Sequence, residues 1–438
     1  MTQIQFNLMN FPFAEQLTAL FDRYSDDYEY TSEGIFRLVT PPQCPECGTL
    51  MDHNGSNSHT KRWLGIVKIG KYSCPECQNN VTELCDFWED AKREFFGIFG
   101  NFCQLLRVNH VSYEVLEKAS SYFYPCDKDT IRTRIAAATD KMEIPEIKDI
   151  QIVHYDEQHP KAGRSQMYRL TLFDYLSKQI IADELFNSKD MKTVEDFLRR
   201  NLDTKRPIFI VTDLSLGYRK LFKNIFKNMV THQLCLLHLN KLIVSDFSVN
   251  TTIAEELIKY RLLNIFYNRR MEIEFLSCLI EEEQEMKKRG GKVYEEWLDE
   301  ARNLFKNFVH NLEKARRRRR SKKNMEMNYY WEAADNFKNL MNEIDSFKIP
   351  VRKRLRQIKK DWANLVAFYF VDGAPATNNP LENYYSASLK THRKNQLDIT
   401  GIEEQIKLSR LKRWGMFGRP QKTLLEAFFV FIPFRDWK

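Results

Sequence analysis

Three carboxylates in this 438-residue sequence stand where a divalent metal ion could be held. Asp156 occurs in Ile152-Val153-His154-Tyr155-Asp156-Glu157-Gln158, and Asp213 closes the apolar run Ile208-Phe209-Ile210-Val211-Thr212. Both fall where the pattern ends a strand. Glu382 follows much later in Thr377-Asn378-Asn379-Pro380-Leu381-Glu382-Asn383, a loop that feeds a helix with Asn379 as N-cap and Pro380 at the first helical position. Read alone, Glu382 closes a capping box on the Asn379 backbone. Read together, three acids on two strand ends and a late helix supply hard oxygen ligands for Mg²⁺ or Mn²⁺. Two such ions about 3.5–4 Å apart can activate an attacking oxygen and stabilise a leaving one at a phosphodiester. Glu157 would face the opposite way if its strand continues, and Asp372 is the alternative third acid.

A second chemistry is written in cysteine. Cys44-Pro45-Glu46-Cys47 and Cys74-Pro75-Glu76-Cys77 are two CxxC knuckles separated by 26 residues. Each places two thiolates on one tight turn, and four sulfurs suit a closed, tetrahedral structural Zn²⁺ site with no open position for catalysis. His53 and His59 lie between the knuckles and are bystanders once four cysteines are available. Lys61–Ile69 alternates as a strand with a basic and aromatic edge. Nine cysteines, an odd number, and no secretory signal at Met1-Thr2-Gln3-Ile4-Gln5 point to a reducing, cytoplasmic setting. The apolar stretch Ala427–Phe434 is far short of the roughly 20 residues that span a bilayer, so no membrane partner is expected.

The elements that must position these groups divide the chain into segments. Residues 1–84 hold one helix near Phe13–Tyr24 and the zinc-ribbon-like module. Residues 85–145 are helical. There Val111–Ala119 and Thr130–Ala138, joined by a turn at Tyr124–Asp129, form either a helix-turn-helix with Arg132 and Arg134 facing DNA or a plain helical hairpin. From about 150 the pattern turns α/β: strands at Gln151–Tyr155, Met167–Phe173 and Gln179–Leu185, a helix at Asp190–Asn201, a strand at Pro207–Thr212, a helix at Tyr218–Lys227 and a strand at Met229–Leu234. Residues 240–351 form a helical insertion, residues 352–400 return to the core, and 401–438 read as a helical tail. The fold class is multidomain α+β.

Charge is distributed unevenly. Basic side chains exceed acidic ones by 67 to 59, a net +8. Residues 241–300 carry 9 basic and 13 acidic side chains, whereas 301–360 carry 18 and 6. A swing from −4 to +12 marks a phosphate-facing surface or a solvated helical face, with Arg316, Arg317 and Arg318 and the run Arg352–Lys360 as its densest parts.

The order of these features resembles a known family. Asp156, the strand ending in Asp213, the pair Cys235-x-x-His238 after the fifth strand, and Asn378-Asn379-Pro380-Leu381-Glu382 after a helical insertion are similar to the DDE transposases of prokaryotic insertion sequences, the Mutator-like group above all. The resemblance covers about residues 150–400, and the cysteine module is similar to the zinc-binding heads of some of these enzymes. It implies an RNase H-like α/β catalytic core (150–239 with 352–400) in which Asp156, Asp213 and Glu382 hold two Mg²⁺ or Mn²⁺ ions. It also implies that Cys235 and His238 shape the site or contact DNA, and that the partners are transposon ends and target DNA bound by a homodimer or larger assembly, nucleoid-associated in the cytoplasm. Many relatives carry a basic residue seven positions after the glutamate. Here Leu389 stands there, with Lys390 and Arg393 the nearest cations. The expected activity is strand cleavage at element ends and strand transfer. A silent zinc-dependent DNA-binding regulator, or a nuclease on the same core, are the competing readings.

Overall fold

The computed structural model describes residues 23–416, apart from 25, 32–34, 62–64, 83–98, 101, 122–124, 162–166, 249–250, 320–326, 391–393 and 395. Most of the helix expected over Phe13–Tyr24, the stretch Ala427–Phe434, Arg393 and the side chains of Arg317 and Arg318 lie outside the described residues. The fold is mixed α+β in two compact units, residues 1–145 with 398–438, and residues 146–397.

In the first unit, β1 (Tyr28–Tyr30), β2 (Ile35–Leu38), β3 (Asp52–Lys61) and β4 (Gly65–Ser73) form a mixed sheet in the order β1-β2-β4-β3, and β5 (Asn80–Thr82) also pairs with β4. One cysteine knuckle precedes β3 and the other follows β4. The 26-residue spacing is therefore the length of an antiparallel hairpin whose ladder runs from Asp52↔Ser73 to Lys61↔Gly65. Each knuckle closes through a left-handed residue, Gly48 (φ 74°) in the first and Gln78 (φ 60°) in the second. Glycine adopts that conformation freely, whereas glutamine is strained in it.

Helices α1 (Tyr113–Ser120) and α2 (Lys128–Asp140) follow. Asp127 caps α2 by accepting from the backbone N–H of Asp129 and Thr130, at 3.1 and 2.9 Å. The third partner of this pair comes from the far end of the chain, in the helix Ile399–Arg413. Its Glu404 accepts from Arg107 Nε and Nη2 at 3.2 and 3.3 Å and from the Tyr113 hydroxyl. The first part of the expected helical tail is thus this helix, packed within the unit.

The second unit is built on one five-stranded sheet in the order β10-β9-β6-β7-β8, where β6 is Ile152–Lys161, β7 Met167–Asp174, β8 Ile180–Phe186, β9 Ile208–Thr212 and β10 Val230–Leu234. β6, β7 and β8 are antiparallel neighbours, while β6, β9 and β10 run parallel. Alternation along the strands divides the core. Val153, Tyr155, Ile208 and Ile210 pack against α3 (Met191–Asn201) and α4 (Leu216–Phe226) on one face. Ile152, Phe209 and Val211 face Ala367 on the other.

After β10 the chain enters α5 (Leu236–Ser245). The insertion then builds α6 (Ile253–Leu263), α7 (Arg270–Arg289), α8 (Gly291–Arg319) and α9 (Tyr330–Asn342), and α10 (Ile349–Leu365) returns to the sheet. α11 (Asn379–Ser388) seats Leu381, Tyr384 and Tyr385 on Phe173 and Ile180. Among the described residues no helix is long and apolar enough to cross a membrane.

Candidate active site

Asp156 does not end its strand. β6 continues to Lys161 because it pairs with β7 past the end of the parallel ladder, with Asp156 opposite Thr171. The β6–β9 ladder stops at His154↔Val211, and two residues further along each chain lie Asp156 and Asp213. Period-two alternation puts both acids on the face that carries α11. The same rule sends Glu157 to the other face, where its carboxylate accepts from the Tyr155 hydroxyl (3.0 Å) and the Tyr218 hydroxyl and lies 3.5 Å from Lys189 Nζ.

Burial pushes the Asp156 carboxyl up to about 7. Asp213, Glu382 and Glu157 push it the same way, against the hydrogen bond from the Glu157 backbone N–H. Burial also raises Asp213, opposed by the Ser215 backbone N–H and by His238. Glu382 acts on Asp156, while Glu157 is the further acid that acts on both; Asp372 lies exposed in a turn. The Glu382 carboxylate is 3.3 Å from Lys241 Nζ and 3.7 Å from His238 Nε2. His238 and Lys241 lie three residues apart on α5 and so share a face. His238 was legible as part of a cysteine–histidine pair, but Lys241 was overlooked; its signal was this spacing.

The capping-box reading of Glu382 is overturned. α11 begins at Asn379, and Asn378 occupies the N-cap position without making a side-chain cap. Fully buried, Asn378 instead donates through Nδ2 to the Tyr155 carbonyl (3.2 Å), and its Oδ1 lies 2.8 Å from His154 Nδ1. Its own backbone N–H donates to Cys235 Sγ at 3.2 Å, and the Leu236 N–H donates to the Ala376 carbonyl at 3.0 Å. Cys235 is completely buried, so its placement allows it to shape the site and excludes contact with DNA. Burial raises its thiol, opposed by the backbone N–H groups of Asn378, His238 and Leu237.

A second fastening holds the other end of α11. Arg169 and Asp183 form a fully buried bidentate pair at 2.7 and 2.6 Å. Arg169 also donates to Ser388 Oγ (2.9 Å), the Tyr384 hydroxyl donates to Asp183 (2.7 Å), and the Arg169 guanidinium lies over the Tyr385 ring. The signal for this network was an arginine inside an otherwise apolar strand, since a buried cation must be paired. Finally, the Tyr385 hydroxyl donates to the Asp156 carbonyl at 2.8 Å, tying α11 directly to the residue that carries the first acid.

The four knuckle thiols form one cluster. Cys44–Cys77 and Cys47–Cys74 approach to 3.4 Å, and all four sulfurs lie within 4.8 Å of one another, the arrangement that could hold zinc. Among the described residues no other set of three or more possible ligands is drawn so close, and Asp156, Asp213 and Glu382 are not gathered to that distance.

The expected DNA contacts are scattered. Arg132 and Arg134 are exposed on α2, with the Arg132 guanidinium 4.9 Å from the Tyr113 ring centroid. Lys390 is exposed just after α11. Arg316 is not free for phosphate: it is held by buried Glu272, with Nη2 at 3.0 Å from its Oε2, and donates to the Asn268 carbonyl.

No family model matches the sequence. Over 223 residues the chain is 26% identical to the "Insertion element ISM1 uncharacterized 48.3 kDa protein" of Methanobrevibacter smithii, a match covering 45% of this chain and 51% of that protein. The chain thus spans about half the length of a relative carried by an insertion element, and its similarity to an insertion-element protein is the finding the comparisons supply.

Proposed function

We propose that the chain is a DDE transposase that cleaves phosphodiesters at the ends of an insertion sequence and joins them to target DNA. The reading is supported by strand alternation, which puts Asp156 and Asp213 on the face that carries α11, and by the action of Asp213 and Glu382 on the Asp156 carboxyl, which burial lifts to about 7. A 3-2-1-4-5 strand order, with the first three strands antiparallel and the last two parallel to the first, is the order expected of an RNase H-like core, and it supports the same reading.

The donor set suits divalent ions. Three carboxylates repel one another; Lys241 lies against Glu382, and His238 and Lys189 act on Asp213. Asp156, Asp213 and Glu382 would hold Mg²⁺ or Mn²⁺, which when bound would stabilise charge on the attacking and leaving oxygens. The protein's own part is placement. The Asn378 and Arg169–Asp183 fastenings fix α11 against β6, so Glu382 keeps its position relative to Asp156. His238 and Lys241 on α5 orient the Glu382 carboxylate. Arg132 and Arg134 on α2 and Lys390 after α11 are the proposed backbone contacts, and binding of two ends calls for a dimer or larger assembly.

The test is cleavage of labelled DNA carrying the host element's ends by purified protein with Mn²⁺ or Mg²⁺, wild type beside Glu382→Gln. Cutting and joining by wild type alone supports the proposal, and cut but unjoined strands indicate a nuclease. Binding without cleavage by either protein overturns it in favour of a regulator.

A further inference from the structure

Five cations share the outer face of α10. At 3.6 residues per turn, Arg352, Lys353, Arg356, Lys359 and Lys360 fall within an arc of about 120°, opposite the buried Val351, Leu355, Ile358 and Leu365. Arg352 is partly exposed and the other four are exposed. No acid interrupts the stripe. The one acid of α10, Asp361, is buried and paired with Arg219, and the remaining cation, Arg354, is paired with Asp246. None of the five has an ion-pair partner among the described residues. On the neighbouring helices the exposed charges are matched, as in Lys287–Glu283 and Lys288–Glu285 on α7 and Lys292–Glu296 on α8. Like charges three and four residues apart repel, so the stripe works against its own helix and suits a polyanion laid along it.

A second feature belongs to the same helix pair. Phe370 (68% exposed), Tyr329 (64%) and Trp331 (61%) are the three most exposed large apolar side chains among the described residues. Packing draws them to one end of the pair. Trp362, near the end of α10, stacks on Phe337 of α9, and the turn Ala367–Phe370 then sets the Phe370 ring 5.1 Å from Tyr330. Tyr329 and Trp331 flank Tyr330 in sequence and stack on each other, with ring centroids 4.6 Å apart and planes within 5°. Each ring covers one face of its partner, and at this exposure the outer faces stay open. Exposed aromatic groups gathered in this way mark an interaction surface, and flat open rings suit another flat ring.

We propose that the α9–α10 pair holds an unpaired DNA strand, its phosphates along the α10 stripe and its bases stacked on Tyr329, Trp331 and Phe370. Cations that track a sugar–phosphate backbone and aromatic rings that take up bases are the two components of such binding. A duplex would satisfy the cations alone, because its bases are already stacked on one another. An apolar protein partner would satisfy the rings alone. An unpaired strand uses both. The choice of DNA over RNA rests on the transposase reading, whereas the surface is read out by binding without divalent metal.

The experiment uses the full-length, zinc-loaded protein without added Mg²⁺ or Mn²⁺. A fluorescein-labelled, mixed-sequence DNA oligonucleotide lacking the element's ends is followed by anisotropy across a salt series. It is presented as the single strand, as its duplex and as an abasic strand of the same length. Wild type should bind the single strand at least tenfold more tightly than either other probe. Trp331→Ala/Phe370→Ala should lose tenfold or more on the single strand, keep its salt slope and bind the abasic strand as wild type does. Arg356→Glu/Lys360→Glu should weaken on both strands and lose about 1.4 from the salt slope, at about 0.7 for each phosphate contact. Equal affinity of wild type for all three probes overturns the proposal without any variant. So does unchanged single-strand affinity in an aromatic variant with wild-type melting. A dimer that the aromatic variant dissociates in sedimentation, with strand affinity kept, also overturns it and makes the face an interface between copies. Cleavage is assayed apart: a protein that cuts without preferring single strands loses this proposal and keeps the transposase reading, and one that prefers them without cutting does the reverse.

Discussion

His154 donates through Nδ1 to Asn378 Oδ1 over 2.8 Å, and this one bond joins the strand that carries Asp156 to the loop that delivers Glu382. The direction follows from the rest of the network. Asn378 Nδ2 donates to the Tyr155 carbonyl, so its oxygen must face the imidazole and His154 Nδ1 must carry the proton. His154 Nε2 is consequently bare, and it is buried without a partner.

Asn378→Ala removes both side-chain bonds and strands a buried imidazole N–H. The expected loss is about 2–4 kcal/mol from the second unit, since each unpaired buried group costs about 1–3 kcal/mol. Its neighbour Asn379 is exposed, so Asn379→Ala should stay within about 0.5 kcal/mol. Urea unfolding of both variants decides the matter. Equal effects would mean that Asn378 caps the helix and does not lock the loop.

Acid should strain the same joint. Burial depresses His154 to about 4, below its ordinary 6.5. Between those values the unfolded chain holds a proton that the folded state refuses, so this group's contribution falls as pH drops from 6.5 to 4 and levels off below. The loss is up to about 3 kcal/mol, from 1.36 kcal/mol per unit of pKa. It is best read as the difference between wild type and His154→Gln, because the raised Asp156 carboxyl acts in the opposite direction over part of that range. Parallel stability curves for the two proteins would exclude it.

Much of this arrangement was legible because it is local. Apolar runs of five to eight residues marked the strands, the CxxC doublet marked the thiol cluster, and strand alternation separated Asp156 from Glu157. What escaped was non-local. Nothing near Asp156 says that β6 runs on to Lys161; that follows from pairing with β7. Nor does the pattern of 401–438 reveal that Glu404 meets Arg107 across 297 residues. Arg316 looked like part of a phosphate surface because its partner, Glu272, is 44 residues away.

The buried Arg169–Asp183 pair should behave as a fastening for α11 more than as a source of stability. Removing one partner leaves an uncompensated charge, so Arg169→Met should cost about 3–5 kcal/mol. Arg169→Met with Asp183→Leu should recover much of that, because paired desolvation nearly cancels the Coulomb gain. If the double variant is as stable as wild type yet cleaves DNA poorly, the pair's role is to place Glu382. Thermal melts and the cleavage assay together separate the two effects.

Zinc removal should act on the first unit. The knuckles bracket the β3–β4 hairpin, and with the thiols uncoordinated the turns at Cys44–Gly48 and Cys74–Gln78 lose their tie. Cys47→Ser or a strong chelator should abolish the protease resistance of residues 40–82 while the sheet of residues 146–397 still melts cooperatively. Retention of protection after zinc is measured absent would show that the hairpin holds the knuckles unaided.

Asp156 gives the sharpest test of the metal reading. Its carboxyl is raised to about 7 by burial and by its acidic neighbours, against about 3.9 in an unfolded chain. The folded state therefore holds a proton that the unfolded state has lost, and metal-free stability falls as pH rises from about 4 to 7. Asp156→Asn removes that burden, so at pH 8 without divalent ions the variant should melt higher than wild type. Adding Mn²⁺ or Mg²⁺ should reverse the order. An ion that binds only the folded state stabilises it by about 2.7 kcal/mol at a hundredfold excess over Kd, and the variant lacks one of the proposed ligands. Zinc-loaded protein followed by calorimetry, with and without Mn²⁺, reads both effects. If Mn²⁺ shifts wild type and Asp156→Asn equally, the three acids are not its site.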